Sequence, residues 1–123
     1  MTKESMGTVF LIDDDKGMRR KYKTLLKSNG FKVIEAPDAL EVVNTLMRNK
    51  ADINLIVLDI QIPEVDGRDI FEIIEEYAPE LPIMVSSVLP LQDQKLRIRR
   101  AQEYFQKSDR DEVFISKIKA VLN

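Results

Sequence analysis

Residues 9–15 read VFLIDDD, and residues 55–59 read LIVLD. Both are apolar runs of strand length that end in aspartate. If the two strands are parallel neighbours, Asp13, Asp14 and Asp59 meet at the edge where open α/β sheets keep their ligand sites. Crowded carboxylates repel one another and need a cation. Because the ligand atoms are all oxygens, we expect a hard divalent ion such as Mg²⁺.

The rest of the chain alternates between strand and helix patterns. Strands are predicted at residues 8–12, 31–36, 55–58, 83–87 and 103–106. The first two helices follow Asp15 and Asp38, the third follows a loop ending at Gly67, a short polar helix spans about 92–101, and Asp109 caps the last. The second helix is expected to bury a face of Leu40, Val43, Leu46 and Met47.

Five alternations predict a parallel sheet with right-handed crossovers and helices on both faces. We therefore expect one doubly wound (βα)5 α/β domain over residues 1–123, in the flavodoxin-like class. Alternation alone does not give the strand order. An order of 2-1-3-4-5 would put the first and third strands at the switch point, where their acids converge.

The composition of the chain excludes several kinds of functional site. The chain has no cysteine and no histidine, which excludes disulfides, thiolate and imidazole metal sites, and Ser-His triads. A formal net charge of -2 gives no basic field for nucleic acid. No apolar run approaches the length needed to span a membrane, so we expect a soluble cytoplasmic protein with no membrane partner.

Four segments in this order closely resemble the receiver domain of two-component response regulators, the CheY-like family. They are VFLIDDD, LIVLDIQIPEVDG, a strand ending at Ser87, and YFQK at residues 104–107. The resemblance covers about residues 8–122. It implies that Asp13 and Asp14 bind Mg²⁺ and that Asp59 is both a metal ligand and the phosphorylated residue. The backbone carbonyl of Gln61 would complete the metal ligands.

The resemblance also assigns three residues after the third helix. Ser87 matches the switch hydroxyl, Lys107 the lysine that pairs with the phosphoryl group, and Tyr104 the aromatic that rotates. The function implied is a phosphoacceptor signalling domain, not an enzyme, although it assists its own phosphorylation and dephosphorylation. A histidine kinase or histidine phosphotransfer protein would be the donor. An effector protein or a second copy would receive the signal at the surface of the fourth helix, fifth strand and fifth helix.

Each assignment has a structural alternative. Asp59 can be a strand-end acid that caps a turn, and Asp13 and Asp14 can be charges at a helix N-terminus, a role that Asp15 suits better. Tyr104 can be an ordinary half-buried aromatic. Ser86, the neighbour of Ser87, is expected to point to the opposite face of its strand.

The sequence departs from the receiver pattern on the output side. The lysine is usually followed by proline through a cis bond, whereas Lys107 is followed by Ser108. A strained cis bond and a rearranged loop both remain open there. Residues 100–103 contain no glycine, and the stretch from Ser87 to Lys107 is short.

Two further functions therefore remain open. One is a receiver-like interaction domain with an output that does not depend on phosphorylation. The other is an aspartate-nucleophile phosphatase, because residues 13–15 contain a D-x-D spacing.

Overall fold

The computed structural model describes residues 5–59 and 67–123. Within these residues five strands form one fully parallel sheet in the order β2-β1-β3-β4-β5, which confirms the predicted α/β fold. The strands are β1 (Thr8–Ile12), β2 (Lys32–Ala36), β3 (Leu55–Asp59), β4 (Ile83–Ser87) and β5 (Glu103–Gln106). The central strand β3 is buried along its whole length, as a strand covered on both faces must be.

Helices cover both faces of the sheet. They are α1 (Lys16–Ser28), α2 (Ala39–Asn49), α3 (Gly67–Tyr77), α4 (Leu91–Arg97) and α5 (Asp111–Leu122), and a 3₁₀ turn, Lys50–Asp52, follows α2. One core layer joins the sheet to α2 and α3, and the other joins it to α1 and α5. In the second layer Tyr22, Phe105 and Phe114 pack ring against ring, with centroids 4.5–6.4 Å apart.

Aspartates begin the first two helices, as the sequence predicts. The Asp15 carboxylate accepts hydrogen bonds from the backbone N–H groups of Gly17 and Met18, and Asp38 accepts from Glu41. Helix α1 ends at the predicted Asn29-Gly30 pair. Gly30 has a backbone φ of +89°, which residues with a Cβ rarely adopt. The two N-caps fix where α1 and α2 begin, just after the strand ends of β1 and β2.

The predicted inner face of α2 is wrong by part of a turn. Leu40 and Met47 are 68% and 70% exposed, while the helix buries Val42, Thr45 and Leu46. Apolar residues occupy more than one side of this helix, and its packing in one core layer with α3 selects the side that carries Val42 and Leu46.

Two predictions for the segment from α4 to α5 differ from the structure. Helix α4 ends at Arg97 and not at residue 101, and Asp109 lies one residue before Arg110, which is the N-cap of α5. The Lys107–Ser108 peptide bond is trans, like every peptide bond of the described residues. The chain turns instead through a hydrogen bond of 2.9 Å from the Asp109 N–H to the Gln106 carbonyl.

Residues 5–59 and 67–123 contain no helix long and apolar enough to cross a bilayer.

Helix α2 supplies a direct test of the packing. Leu46→Ala should lower the free energy of unfolding by about 2–5 kcal/mol, because Leu46 is fully buried and its loss leaves a cavity. Met47→Ala on the same helix should change it by less than about 0.5 kcal/mol. Urea denaturation measures both variants, and equal losses would contradict the orientation of α2.

Candidate functional site

The acids predicted from the sequence meet at one edge of the sheet. Asp13 directly follows β1, Asp59 is the last residue of β3, and the two strands are hydrogen-bonded neighbours. One carboxylate oxygen from each of Asp13, Asp14 and Asp59 lies within 4.8 Å of the others. Asp13 and Asp59 are buried, whereas Asp14 is partly exposed and opens the cluster toward solvent.

Lys107 enters this cluster from the end of β5. Its ammonium nitrogen lies 2.9 Å from Asp13 Oδ2 and 3.1 Å from Asp59 Oδ2, and the side chain is only 8% exposed. Burial by itself lowers the pKa of Lys107, but the negative charges of Asp59 and Asp13, together with the hydrogen bonds to them, outweigh it and raise the pKa above its usual value. Lys107 is therefore a fixed cation between two buried carboxylates.

The position of Asp13 is held by two further contacts. Its Oδ1 accepts a hydrogen bond of 2.9 Å from the Asp15 N–H, and its backbone carbonyl accepts one of 2.8 Å from Arg19 Nη1. Arg19 also lies 3.4 Å from Glu35, whose own pKa is lowered, first of all, by a hydrogen bond from Lys23. Arg19 was not singled out from the sequence, where it is one cation in a basic helix.

Asp15 takes no part in the cluster of acids. Its side chain is exposed and caps α1, so the D-x-D spacing of residues 13–15 does not bring two carboxylates together. The alternative of an aspartate-nucleophile phosphatase, which rested on that spacing, gains no support from the position of Asp15.

Ser87 lies at the end of β4, fully buried. Its hydroxyl oxygen accepts a hydrogen bond of 3.1 Å from the Leu89 N–H, and its carbonyl accepts one of 2.7 Å from the Lys107 N–H. Asp59 pairs in register with Ser86, the preceding residue. The Ser86 hydroxyl is buried and finds no hydrogen-bond partner in the described part of the chain.

Tyr104 lies in β5, and its ring is turned inward. It is 7% exposed, and its hydroxyl donates to the Ile98 carbonyl and accepts from the Ala101 N–H at 3.3 Å. The hydroxyl thus closes the glycine-free turn between α4 and β5. The predicted backbone ligand, Gln61, lies outside the described residues.

Two buried polar side chains near the site went unnoticed in the sequence. Gln94 looks like a surface residue of a short polar helix, yet it is fully buried and binds backbone carbonyls of the β4–α4 loop and β5. Tyr22 reads as core, but its buried hydroxyl has no partner within residues 5–59 and 67–123. Burial raises the pKa of Tyr22. Neither residue has a distinguishing local pattern.

The donor set fits a hard divalent cation. Three carboxylates supply only oxygen atoms, which is what Mg²⁺ prefers, and Asp14 leaves one side of the cluster open to water. The net charge of the three acids and Lys107 is still negative, so a cation is favoured there. The residues present therefore match the group that the sequence implied.

Comparisons with known proteins agree with this geometry. The family model described as the response regulator receiver domain matches residues 9–119. Response regulator MprA of Mycobacterium sp. is 30% identical over 77 residues, which cover 63% of this chain and 33% of that protein. Transcriptional regulatory protein GlrR of Escherichia coli is 31% identical over 77 residues, 63% of this chain and 17% of that protein. The chain thus spans a third or less of these curated relatives.

Solved structures show the same fold. A CheY-like receiver domain protein of Methanospirillum hungatei superposes with a TM-score of 0.85 at 22% identity, covering 96% of this chain and 94% of that one. Response regulator protein TrrA of Thermotoga maritima, determined in complex with Mg²⁺–BeF, superposes with a TM-score of 0.83 at 22% identity. The match covers 95% of this chain and 100% of that one.

Lys107→Met should lower the free energy of unfolding by about 3–5 kcal/mol in metal-free buffer, because it leaves buried carboxylates without their cation. Lys32→Met, at an exposed position of β2, is the matched control and should have little effect. The pKa of Lys107 is raised on folding, so its contribution is fully present below its unfolded value of 10.5 and is lost as the pH rises through the folded pKa. A difference between wild type and variant that shrank as the pH rose from neutral toward 10.5 would contradict this assignment. Denaturation at several pH values measures it.

Proposed function

The chain belongs to the response regulator receiver domains of two-component systems, and on that basis we propose that Asp59 is its phosphoacceptor. The observation that carries the proposal is the buried ammonium of Lys107, within 3.1 Å of both Asp59 and Asp13, at the open edge of the sheet. This pairing places a positive charge beside the carboxylate of Asp59 and orients it. An ionised carboxylate is the form that acts as a nucleophile.

The proposed reaction transfers a phosphoryl group from a phosphohistidine. An oxygen of Asp59 forms a bond to phosphorus as the bond between phosphorus and the donor imidazole nitrogen breaks, which leaves an acyl phosphate on this chain and a histidine on the donor. These 123 residues contain no histidine, so the donor imidazole lies outside them, and we propose that a histidine kinase or histidine phosphotransfer protein supplies it. We place this exchange in the cytoplasm.

Four side chains and one backbone carbonyl have roles in this proposal. Asp13 and Asp14 hold Mg²⁺ together with Asp59, and the Gln61 carbonyl is kept as the proposed backbone ligand. When bound, Mg²⁺ supplies positive charge that offsets the crowded carboxylates and the incoming phosphoryl oxygens. Lys107 leaves its hydrogen bond to Asp59 and pairs with a phosphoryl oxygen, while staying close to Asp13.

The proposed output begins at Ser87. Its hydroxyl turns to a phosphoryl oxygen, and the loop that joins β4 to α4 moves with it. Val88 and Leu96 are 60% and 69% exposed on this side of the molecule. We propose that the α4-β5-α5 surface, with its apolar side chains, engages an effector protein or a second copy of the chain. Tyr104 is the proposed aromatic switch within it.

Acetyl phosphate and Mg²⁺ should add the mass of one phosphoryl group to the wild type and none to Asp59→Asn, because an amide is a poor nucleophile. Asp69→Asn, at an exposed position of α3, is the control and should be modified like the wild type. Intact-mass measurement followed by peptide mapping gives the result. Full modification of Asp59→Asn, or a phosphoryl group on Ser87, would overturn the assignment.

Millimolar Mg²⁺ should raise the melting temperature, since a ligand that binds the native state alone stabilises it. Asp14→Asn should reduce this shift most cleanly, because Asp14 is a partly exposed member of the cluster. Its melting temperature without metal should be unchanged or higher, since a repelling charge is gone. A wild-type melting temperature that does not change with Mg²⁺, or a shift in Asp14→Asn as large as that of the wild type, would contradict the proposed metal site.

A further inference from the structure

The side chain of Gln94 in α4 is surrounded by backbone carbonyls. Its amide nitrogen donates to the carbonyl oxygens of Leu89 at 2.8 Å and Phe105 at 2.9 Å, and the Ser87 carbonyl lies at 3.4 Å. Each of these partners is an acceptor, so the nitrogen of the amide must face them. One side chain of α4 therefore holds the ends of β4 and β5 and the loop that leads into its own helix.

The second polar atom of this amide is its carbonyl oxygen, Oε1. Gln94 is fully buried, yet its Oε1 receives no hydrogen bond from any residue that the structure describes. A buried acceptor without a donor is uncommon and costs free energy. A second state of the loop that offers this oxygen a donor would recover that cost.

The Leu89 N–H is a donor on the same residue whose carbonyl Gln94 already binds. It now donates to the Ser87 hydroxyl at 3.1 Å, while the carbonyl of the same residue is already bound by Gln94. Leu89 precedes Pro90, which biases its backbone toward extended conformations. In an extended residue the N–H and C=O open to the same side, so a primary amide can pair with both.

We propose that Gln94 is a positioning residue that accepts the Leu89 N–H at Oε1 when Ser87 turns its hydroxyl toward Asp59. The trigger rests on the proposed phosphorylation of Asp59, whereas the exchange of hydrogen-bond partners does not. After the change the Leu89 N–H keeps an acceptor and the Gln94 Oε1, unpaired before it, gains a donor, so Ser87 moves at little cost. Because Gln94 belongs to α4, the helix follows the loop to which it is bound.

The first test needs no phosphorylation and reads the exchange rate of the Leu89 amide proton by NMR. Ser87→Ala removes the present acceptor, and Leu89 should keep its protection because Gln94 takes the N–H over. In Ser87→Ala combined with Gln94→Met the amide should exchange about tenfold faster or more. Gln92→Met, at an exposed position of α4, replaces Gln94→Met in the control and should leave Leu89 protected. The Leu11 amide in buried β1 reports any global loss of stability.

The second test adds beryllium fluoride and Mg²⁺ as the probe. In the wild type the Leu89 amide should stay protected after the probe binds, and in Gln94→Met it should become exposed only in the bound state. If Gln94→Met does not fold, Gln94→Asn retains an amide that is one methylene too short to span both groups, and it should lose the protection in the same way.

Two results would overturn the inference about Gln94. Leu89 exchange in Ser87→Ala as fast as in the double variant would overturn the inference, whatever happens at Asp59. Protection in Gln94→Met equal to that of the wild type in the bound state would also overturn it. Failure of acetyl phosphate to modify Asp59 would instead overturn the proposed function, and with it only the trigger of the exchange.

Discussion

The ammonium of Lys107 between Asp13 and Asp59 is the interaction on which this edge of the molecule depends. It joins the ends of β1, β3 and β5, and it offsets part of the repulsion that three neighbouring acids would otherwise exert on the fold. In the proposed phosphotransfer the same contact orients the carboxylate of Asp59. Stability and the proposed reactivity thus depend on the same positive charge.

The two sides of the acid cluster are built differently. On the α1 side, Arg19 binds the Asp13 carbonyl and Glu35, and aromatic rings fill the layer beneath. On the α4 side, a seven-residue helix is held by side-chain hydrogen bonds to backbone groups, from Gln94 and Tyr104, and by the packing of Leu91 and Ile98 against the core. Hydrogen bonds of that kind can exchange partners without a loss of packing, so this side is the one suited to a change of state.

The departures from the receiver pattern fall on that same side. Ser108 follows the lysine through a trans bond, and a turn closed by Asp109 and Gln106 carries the chain into α5. Lys107 nevertheless reaches both acids. The position of this lysine is therefore set by the register of β5 against β4, in which Ser87 pairs with Gln106.

The sequence by itself determined the α/β class, the five strands, most helix limits and the acids of the site. Apolar runs that end in aspartate and Asp caps are local signals, and the order 2-1-3-4-5 was expected because it brings the acids of the first and third strands together. The sequence pattern wrongly predicted that Leu40 and Met47 are buried, because helical spacing allows several apolar faces on α2. Only the tertiary structure decided that Lys107 bridges Asp13 and Asp59, that Gln94 is buried, and that Tyr104 closes a turn. These contacts join residues far apart along the chain or depend on burial, and hydrogen bonds to backbone carbonyls leave no trace in the pattern of side chains.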